Sequence, residues 1–153
     1  MKCAKPQGFV SSNLTPSAVY LVSTGIKPSG INGRGVFTLQ KITKGEVVWK
    51  FDPAHDKTLS ADEFENLDQE SKEHLKRVAY RSPSTGRYVY PPENDPARFT
   101  NHSKDNNLSA VFDPVFSEEP YFISNRDIEI GEELTNNYTE FDEALKERRP
   151  KWI

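Results

Sequence analysis

Cysteine and long apolar runs are scarce in this chain of 153 residues. Cys3 is the only cysteine, so the chain can form neither an intrachain disulfide nor a thiolate-rich zinc site. We expect Cys3 to be a free thiol near a loosely ordered terminus. We therefore predict no metal among the functional residues.

No apolar stretch approaches the roughly 20 residues that a membrane-spanning helix needs. Residues 1–18 contain two lysines but no apolar core of roughly 7–15 residues, which a secretory signal peptide would show. The sequence therefore predicts no membrane partner. We expect the protein in the cytoplasm, or in the nucleus if its source is eukaryotic.

Positive charge is not in excess either. The 20 Lys and Arg residues face 23 Asp and Glu residues, which gives a net charge of -3. A protein that binds nucleic acid directly usually shows a basic face, so this balance argues weakly against that class. The same balance is compatible with a basic partner such as a Lys/Arg-rich peptide.

Aromatic residues are present in number, although hydrophobic residues make up only 35% of the chain. The nine Phe, six Tyr and two Trp predict a modest core packed largely by aromatic rings. The length suits one domain. We divide the chain into a lead-in at 1–17, a domain at 18–139, and a short helix with a tail at 140–153.

Short β-prone runs separated by turn residues predict a mainly β fold with short helices. The predicted strands are 18–22, 35–39, 46–51, 87–90, 108–112 and 121–123. Lys44-Gly45 lies between the second and third of these runs, which predicts a β-hairpin or ribbon there.

Two helices are predicted. Ser60 and Glu63 have the spacing of a capping box, in which each side chain accepts from the backbone N–H of the other residue. Apolar residues then recur at helical spacing, at Phe64, Leu67, Leu75 and Val78. They predict a helix over 60–78 with a break near Asp68, and a short charged helix is predicted over 139–149.

Three short motifs carry the candidate chemistry. They are Gly33-Arg34-Gly35-Val36-Phe37, then Arg98-Phe99-Thr100-Asn101-His102-Ser103 with Asn107, and last Gly131-Glu132-Glu133-Leu134-Thr135-Asn136-Asn137-Tyr138. Each has an ordinary explanation when taken alone: a turn, a histidine bonded within the core, and a core tyrosine.

In this order and spacing, the motifs resemble those of the SET-domain protein lysine methyltransferases. The first is similar to the family's cofactor loop, the second to its Arg-Phe-x-Asn-His-Ser motif, and the third to its Gly-Glu-Glu-Leu-Thr-x-Asp-Tyr motif. The resemblance runs from about Val19 to Tyr138. The short length and plain termini are similar to the compact stand-alone members of bacteria and viruses.

The resemblance implies the SET-domain fold, which has several small curved sheets and a C-terminal pseudoknot. In that fold the segment ending at Tyr138 threads under a loop formed by the Asn101 region. The implied activity is transfer of a methyl group from S-adenosyl-L-methionine (SAM) to the ε-amine of a lysine in a protein substrate. That amine has a free pKa of about 10.4, so the site must favour its neutral form.

The resemblance also assigns roles to residues. The expected cofactor-binding residues are Asn32, Gly33, Arg34, Gly35, Arg98, Asn101, His102 and Trp152. Arg98 has an alternative role in tying strand ends together, and Trp152 has one in pinning the tail by packing. Tyr138 is the expected catalytic residue, which would orient the amine and stabilise the sulfonium methyl.

The sequence departs from the family pattern at Lys104, Asn106 and Asn137, where many members have Cys, Pro and Asp. These departures leave open a catalytically degenerate SET-like module that binds peptide, and an enzyme acting on a non-protein amine. A homodimer is also left open.

Other candidates have simpler explanations. The lysine channel could include the three tyrosines Tyr80, Tyr88 and Tyr90, although ordinary packing explains each of them. His55 and His74 lie in polar surroundings, so we expect them on the surface.

Overall fold

Three small sheets surround an aromatic-rich core in the computed structural model, which describes residues 20–148. The strands are β1 (Thr24–Pro28), β2 (Arg34–Thr38), β3 (Val47–Trp49), β4 (Lys57–Leu59), β5 (Tyr80–Arg81), β6 (Tyr88–Tyr90), β7 (Asn101–His102), β8 (Leu108–Val111), β9 (Tyr121–Ser124) and β10 (Glu133–Asn136). The helices are α1 (Ala61–Glu65), α2 (Gln69–Val78) and α3 (Glu143–Arg148), with 3₁₀ turns at Pro96–Phe99 and Tyr138–Glu140.

The sheets have the strand orders β1-β2-β10-β7, β3-β9-β8 and β4-β6-β5. The shared core combines aliphatic residues with aromatic rings, among them Val36, Ile42, Leu134, Trp49, Phe122 and Phe141. Within the described range, no helix is both long and apolar enough to cross a membrane. The fold is therefore mainly β with short helices, as the sequence predicts.

The predicted hairpin at Lys44-Gly45 is wrong. The turn itself forms, and Gly45 adopts the left-handed φ of 90°. Its flanking strands pair elsewhere, because β2 lies between β1 and β10 while β3 pairs with β9. The turn bonds instead to the end of β9, through Gly45 N–H to Ser124 O, and Ile42 before the turn bonds to the segment after β9, through its N–H to Ile128 O. Long-range partners with buried faces override the local pairing.

Strand β1 was not predicted, since Gly25 and Pro28 both lower strand propensity. It lies at the edge of its sheet, where proline is tolerated, and pairs with β2 over five residue pairs. Of the predicted strand 18–22, the described part contains only a single bridge, from Tyr20 to Trp49.

The helix predictions are confirmed in their main features. Ser60 and Glu63 form the capping box of α1. The predicted break separates α1 from α2, and Asp68 is the N-cap of α2 through a 2.7 Å bond from Ser71 N–H. The region 139–149 holds a 3₁₀ turn and α3, and its last residue lies outside the described part.

The contact that places the site is a parallel pair between β7 and β10. Asn101 lies opposite Thr135, and His102 lies opposite Asn136. The loop after β7 then returns to β10, because the Asn107 side chain donates to Glu133 O at 2.8 Å and accepts from Thr135 N–H at 2.9 Å. The expected pseudoknot requires the third motif to pass next to the Asn101 region. The pairing of β7 with β10 places the two side by side.

Candidate active site

A hydrogen-bonded hub, formed by Ser29, Asn101 and Glu133, joins the three sequence motifs. The Asn101 Nδ2 lies 2.8 Å from Glu133 Oε2 and 3.0 Å from the carbonyl oxygen of Arg34. The Ser29 hydroxyl lies 2.8 and 2.9 Å from the two Glu133 oxygens. One buried amide therefore holds the glycine loop of the first motif against the carboxylate of the third.

The two glycines of the first motif are needed for different reasons. Gly33 has a φ of 48°, in the left-handed region where a side chain is strained. Gly35 lies in β2 with no such φ, but a Cβ there would overlap the Glu133 carboxylate. The loop therefore requires conformational freedom at one glycine and empty space at the other.

A cavity of about 920 Å³ lies beside the hub. Its lining includes five of the predicted site residues, Asn32, Arg98, Asn101, His102 and Tyr138. Gly33, Arg34 and Gly35 do not line it and instead shape the loop that carries Asn32. Trp152 lies outside the described residues. The volume falls within the range of about 300–1,000 Å³ that is usual for small-molecule sites.

Tyr138 is held at both its backbone and its hydroxyl. Its O–H donates to the carbonyl oxygen of Thr100 at 2.6 Å, and its N–H donates to Nδ1 of His102 at 3.1 Å. Burial, and then the charge of Asp142, raise the pKa of Tyr138 to about 12. The hydroxyl is therefore neutral at physiological pH, with its hydrogen directed at Thr100.

The imidazole of His102 acts as an acceptor toward Tyr138. Burial, and then the positive charge of Lys104, hold the pKa of His102 below its ordinary value. A neutral ring keeps the lone pair on Nδ1 that the Tyr138 N–H requires. The histidine of the second motif therefore fixes the backbone of the tyrosine in the third.

The Asn101 side chain was expected to bind the cofactor, and its Nδ2 is already engaged within the protein. It lies 3.2 Å from the carbonyl oxygen of Asn32 in addition to its contacts in the hub. This arrangement gives Asn101 a clear part in shaping the loop at the cavity. The cofactor contact of Asn101 stays a prediction.

Arg98 has the tying role that was its alternative, and its cofactor contact stays a prediction. Its Nε donates to the carbonyl oxygens of Pro91 and Pro92, at 3.0 and 2.9 Å. It thereby ties the segment after β6 to the 3₁₀ turn that precedes β7, and it also lines the cavity.

Sequence reasoning missed several residues of the cavity wall, among them Tyr20, Trp49, Thr100, Phe122, Asn136 and Phe141. Thr100 is central, because its Oγ1 lies 2.6 Å from the Tyr20 hydroxyl while its carbonyl accepts from Tyr138. Thr100 and Asn136 lie inside the second and third motifs, so motif membership was a usable signal. The aromatic residues read as ordinary core.

Two buried polar atoms of the wall have no hydrogen-bond partner in the described structure. They are the indole Nε1 of Trp49, a donor, and Oδ1 of Asn136, an acceptor. Buried polar groups in proteins are nearly always satisfied, so an unsatisfied donor and acceptor in one cavity call for an explanation. Trp49 and Asn136, which carry these atoms, are both among the residues that line the cavity.

The three departures from the family pattern have local explanations. Asn137 is the N-cap of the 3₁₀ turn that begins with Tyr138, and its Oδ1 accepts from Thr139 N–H at 3.1 Å. Asn106 donates to Leu108 O at 2.8 Å. Lys104 is exposed. An aspartate at 137 would cap the same turn, so this departure preserves the local geometry.

The three candidate tyrosines of the lysine channel lie in different surroundings. Tyr80 lines the cavity, whereas Tyr88 stacks on Phe64 with ring centroids 4.1 Å apart, as ordinary packing predicts. Tyr90 does not line the cavity and pairs with Lys57 in the third sheet.

The two remaining histidines also differ. His74 is exposed, as predicted. The surface prediction for His55 is wrong, because its Nε2 lies 2.8 Å from Oδ2 of Asp95, a residue with no exposed surface. The partner is 40 positions away in the chain, so local polarity could not reveal it.

Comparison with known proteins agrees with the fold. The family model described as "SET domain" matches residues 33–139, which is more than half of the chain. The chain therefore belongs to the SET domain family. No curated protein gives a significant match.

A similar solved structure is the crystal structure of a Plasmodium falciparum protein provisionally named a histone methyltransferase. It is 18% identical, with a TM-score of 0.55, and the match covers 76% of this chain and 93% of that one. At this identity the likeness concerns the fold alone.

Proposed function

We propose that this protein is a SAM-dependent protein lysine N-methyltransferase. The observation that carries the proposal is a cavity lined by residues of the second and third SET motifs and by Asn32 of the glycine loop, where Tyr138 is held by Thr100 and His102. Family membership supports methyl-transfer chemistry. The substrate would be a lysine in a protein or peptide.

The residues of the cavity fit a cofactor of this kind. SAM carries polar amino-acid and adenosine parts, and the lining includes polar side chains such as those of Asn32, Arg98 and Asn136. Asn32, Arg98, Asn101 and His102 would surround the cofactor from the loop and from β7. When bound, SAM supplies a methyl group on a positively charged sulfur.

Tyr138 would orient the target amine. Its own hydrogen is directed at Thr100 O, so toward a ligand its oxygen acts as an acceptor. A neutral amine has N–H bonds to donate and a lone pair to attack with, which suits such an acceptor. The pKa of about 12 argues against general-base work by Tyr138, because the tyrosinate is scarce at physiological pH.

The aromatic wall would keep the amine neutral. Tyr20, Trp49, Phe122 and Phe141 are each 5–6% exposed and line the cavity. Removing a lysine from water disfavours its charged form and lowers its pKa. The peptide would then bind as an extended strand at an exposed sheet edge, a common mode of peptide recognition.

The first test is calorimetric titration with S-adenosylhomocysteine, the demethylated cofactor. We expect micromolar binding by the wild type and at least a tenfold loss in His102→Ala. His74→Ala, which changes an exposed histidine, is the control and should bind as the wild type does. Circular dichroism of each variant confirms folding. Absence of binding by folded wild type would overturn the proposal.

The second test separates turnover from binding. Tyr138→Phe should keep most of its affinity for S-adenosylhomocysteine and lose at least tenfold in methyl transfer to lysine peptides. A histone peptide is a reasonable first substrate, given the name of the Plasmodium neighbour, and free lysine tests the small-amine alternative. Tyr121→Phe, outside the cavity lining, is the control. Peptide binding without methyl transfer by the wild type would instead favour a degenerate SET-like module.

A further inference from the structure

A second cluster of ligand-type side chains lies outside the cavity lining. His55, Asp56 and Asp95 each present one nitrogen or oxygen atom, and these three atoms all lie within 4.8 Å of one another. The shortest separation is 2.8 Å, from His55 Nε2 to Asp95 Oδ2. Two segments 40 positions apart thus converge on a nitrogen–oxygen donor set.

The carboxylates of this cluster are deeply buried. Asp95 has 0% of its surface exposed and Asp56 has 7%. Neither forms an ion pair with a Lys or Arg within residues 20–148, although the charge of Arg98 acts on Asp95, and His55 pairs with Asp95. Two adjacent buried carboxylates are costly, because burial strengthens the repulsion between like charges.

Asp56 also has coordinating capacity that the protein leaves unused. Its Oδ2 accepts from Asp52 N–H at 2.8 Å, while its Oδ1 is buried without a hydrogen-bond partner. A buried carboxylate oxygen of this kind, beside an imidazole and a second carboxylate, is the feature that a cation would explain. An ordinary Asp–His pair would explain the 2.8 Å contact but not this oxygen.

We propose that His55, Asp56 and Asp95 bind a divalent transition metal of the Zn²⁺ class. Imidazole nitrogen and carboxylate oxygen are both ligands of zinc, and a site with three protein ligands leaves the fourth position to water. His55 has 21% of its side chain exposed, which provides a way in for the ion and its water. The expectation of no metal considered thiolates and did not foresee this oxygen-rich set.

Metal binding requires a small rearrangement. Ligands about 2.0 Å from a tetrahedral ion are separated by about 3.3 Å, so His55 Nε2 and Asp95 Oδ2 must move apart slightly from their 2.8 Å contact. His55 would carry its remaining proton on Nδ1, and Nε2 would bind the ion. Metal ligands bind in their deprotonated forms, so binding should weaken in acid.

The position of the site indicates a structural role. Asp95 is also the N-cap of the 3₁₀ turn Pro96–Phe99, through a 2.8 Å bond from Ala97 N–H to its Oδ1. That turn leads directly into Thr100 and Asn101. An ion would therefore brace the turn after β3 against the second motif. This proposal is independent of the proposed methyl transfer.

The test is titration of the metal-stripped protein with ZnCl₂ alone, in a Cys3→Ser background that removes the one thiolate. We expect one ion per chain and a rise in melting temperature on saturation. His55→Ala and Asp56→Asn should each weaken binding at least tenfold. His74→Ala, the matched histidine control, should bind as the parent does.

Co²⁺ substitution reports the ligands of the bound ion directly, in addition to the affinity measured by titration. The parent should show visible d–d absorption of a nitrogen- and oxygen-ligated ion, and His55→Ala should lose it. Circular dichroism establishes that each variant is folded. The proposal is overturned by no Zn²⁺ binding in the folded parent, by unchanged binding in folded His55→Ala, or by saturable binding of Mg²⁺ alone.

Discussion

Two parts of the protein differ in how their polar groups are hydrogen-bonded. One is the hub of Ser29, Asn101 and Glu133, and the other is the cavity wall around Trp49 and Asn136. In the hub, one amide nitrogen lies within 3.2 Å of four acceptor atoms. In the wall, a buried donor and a buried acceptor have no hydrogen-bond partner in residues 20–148. Leaving a buried polar group unsatisfied costs about 1–3 kcal/mol, so it persists only where something else offsets that cost.

The comparison separates a region whose polar groups bond to one another and maintain the fold from the region where we propose that a ligand binds. The hub joins three motifs that are far apart in the chain, and its side chains bond to one another within the protein. The wall has spare bonding capacity around a cavity of about 920 Å³. Mutations in the hub should therefore reduce stability, and mutations in the wall should chiefly reduce binding.

The largest expected contrast is between two asparagines of these regions. Asn101→Ala should reduce the free energy of unfolding by about 1–3 kcal/mol, since it leaves part-buried acceptors without their donor. Asn136→Ala should cost less than about 1 kcal/mol, because its Oδ1 makes no bond to lose. Urea unfolding of both variants measures the contrast. Equal losses would contradict the division between hub and wall.

Two strand glycines test whether the hub needs the empty space beside Glu133. Gly35→Ala should lose about 1–3 kcal/mol of stability, because the new Cβ overlaps the Glu133 carboxylate. Gly25→Ala is the matched control in the paired strand, where the nearest atom to a Cβ is Leu39 Cδ2 at an ordinary 3.6 Å. Urea unfolding should show little change for Gly25→Ala. A stable Gly35→Ala would mean that the Glu133 side chain moves freely.

The alkaline titration of Tyr138 sharpens the description of the wall. Its pKa is raised to about 12, so the folded state holds this proton more tightly than the unfolded state does. The resulting stabilisation is complete below about pH 10 and is lost as the pH rises through about 12. The difference in tyrosinate absorbance between the wild type and Tyr138→Phe measures the value. A difference signal near pH 10 would contradict the burial of this hydroxyl.

The smallest expected effect is the acid sensitivity of His102. Its pKa is lowered in the folded state, chiefly by burial, so the unfolded state takes up a proton first on acidification. The stabilisation is therefore present above about pH 6.5 and is lost as the pH falls through the folded-state pKa. Urea unfolding at pH 7.5 and at about pH 5.5 should show a smaller decrease in His102→Gln than in the wild type. The control His74→Gln should keep the wild-type decrease.

Local features of the molecule were predictable from the sequence. The capping box at Ser60 and Glu63 and the helix break at Asp68 depend on residues three positions apart, so a short window contains all the necessary information. The three motifs were readable for the same reason. Each is a short run in which residue order carries the chemistry.

Features that depend on distant partners were not predictable. The hairpin at Lys44-Gly45 was wrong because β2 and β3 each find a longer-range strand with a buried face. His55 was assigned to the surface because Asp95 enters its surroundings only in the folded chain. The wall residues Trp49 and Phe122 looked like ordinary core, since whether an aromatic ring faces core or cavity depends on packing.

The sequence alone therefore determined the family, the mainly β class and five cavity-lining residues from Asn32 to Tyr138, because short-range residue order encodes them. Only the tertiary structure decided that Asn101 binds the glycine loop to Glu133, that Thr100 holds two tyrosines, and that His55 meets two aspartates. Those contacts require the parallel pairing of β7 with β10 and the convergence of segments tens of residues apart. Their energies depend on burial, which no single stretch of sequence specifies.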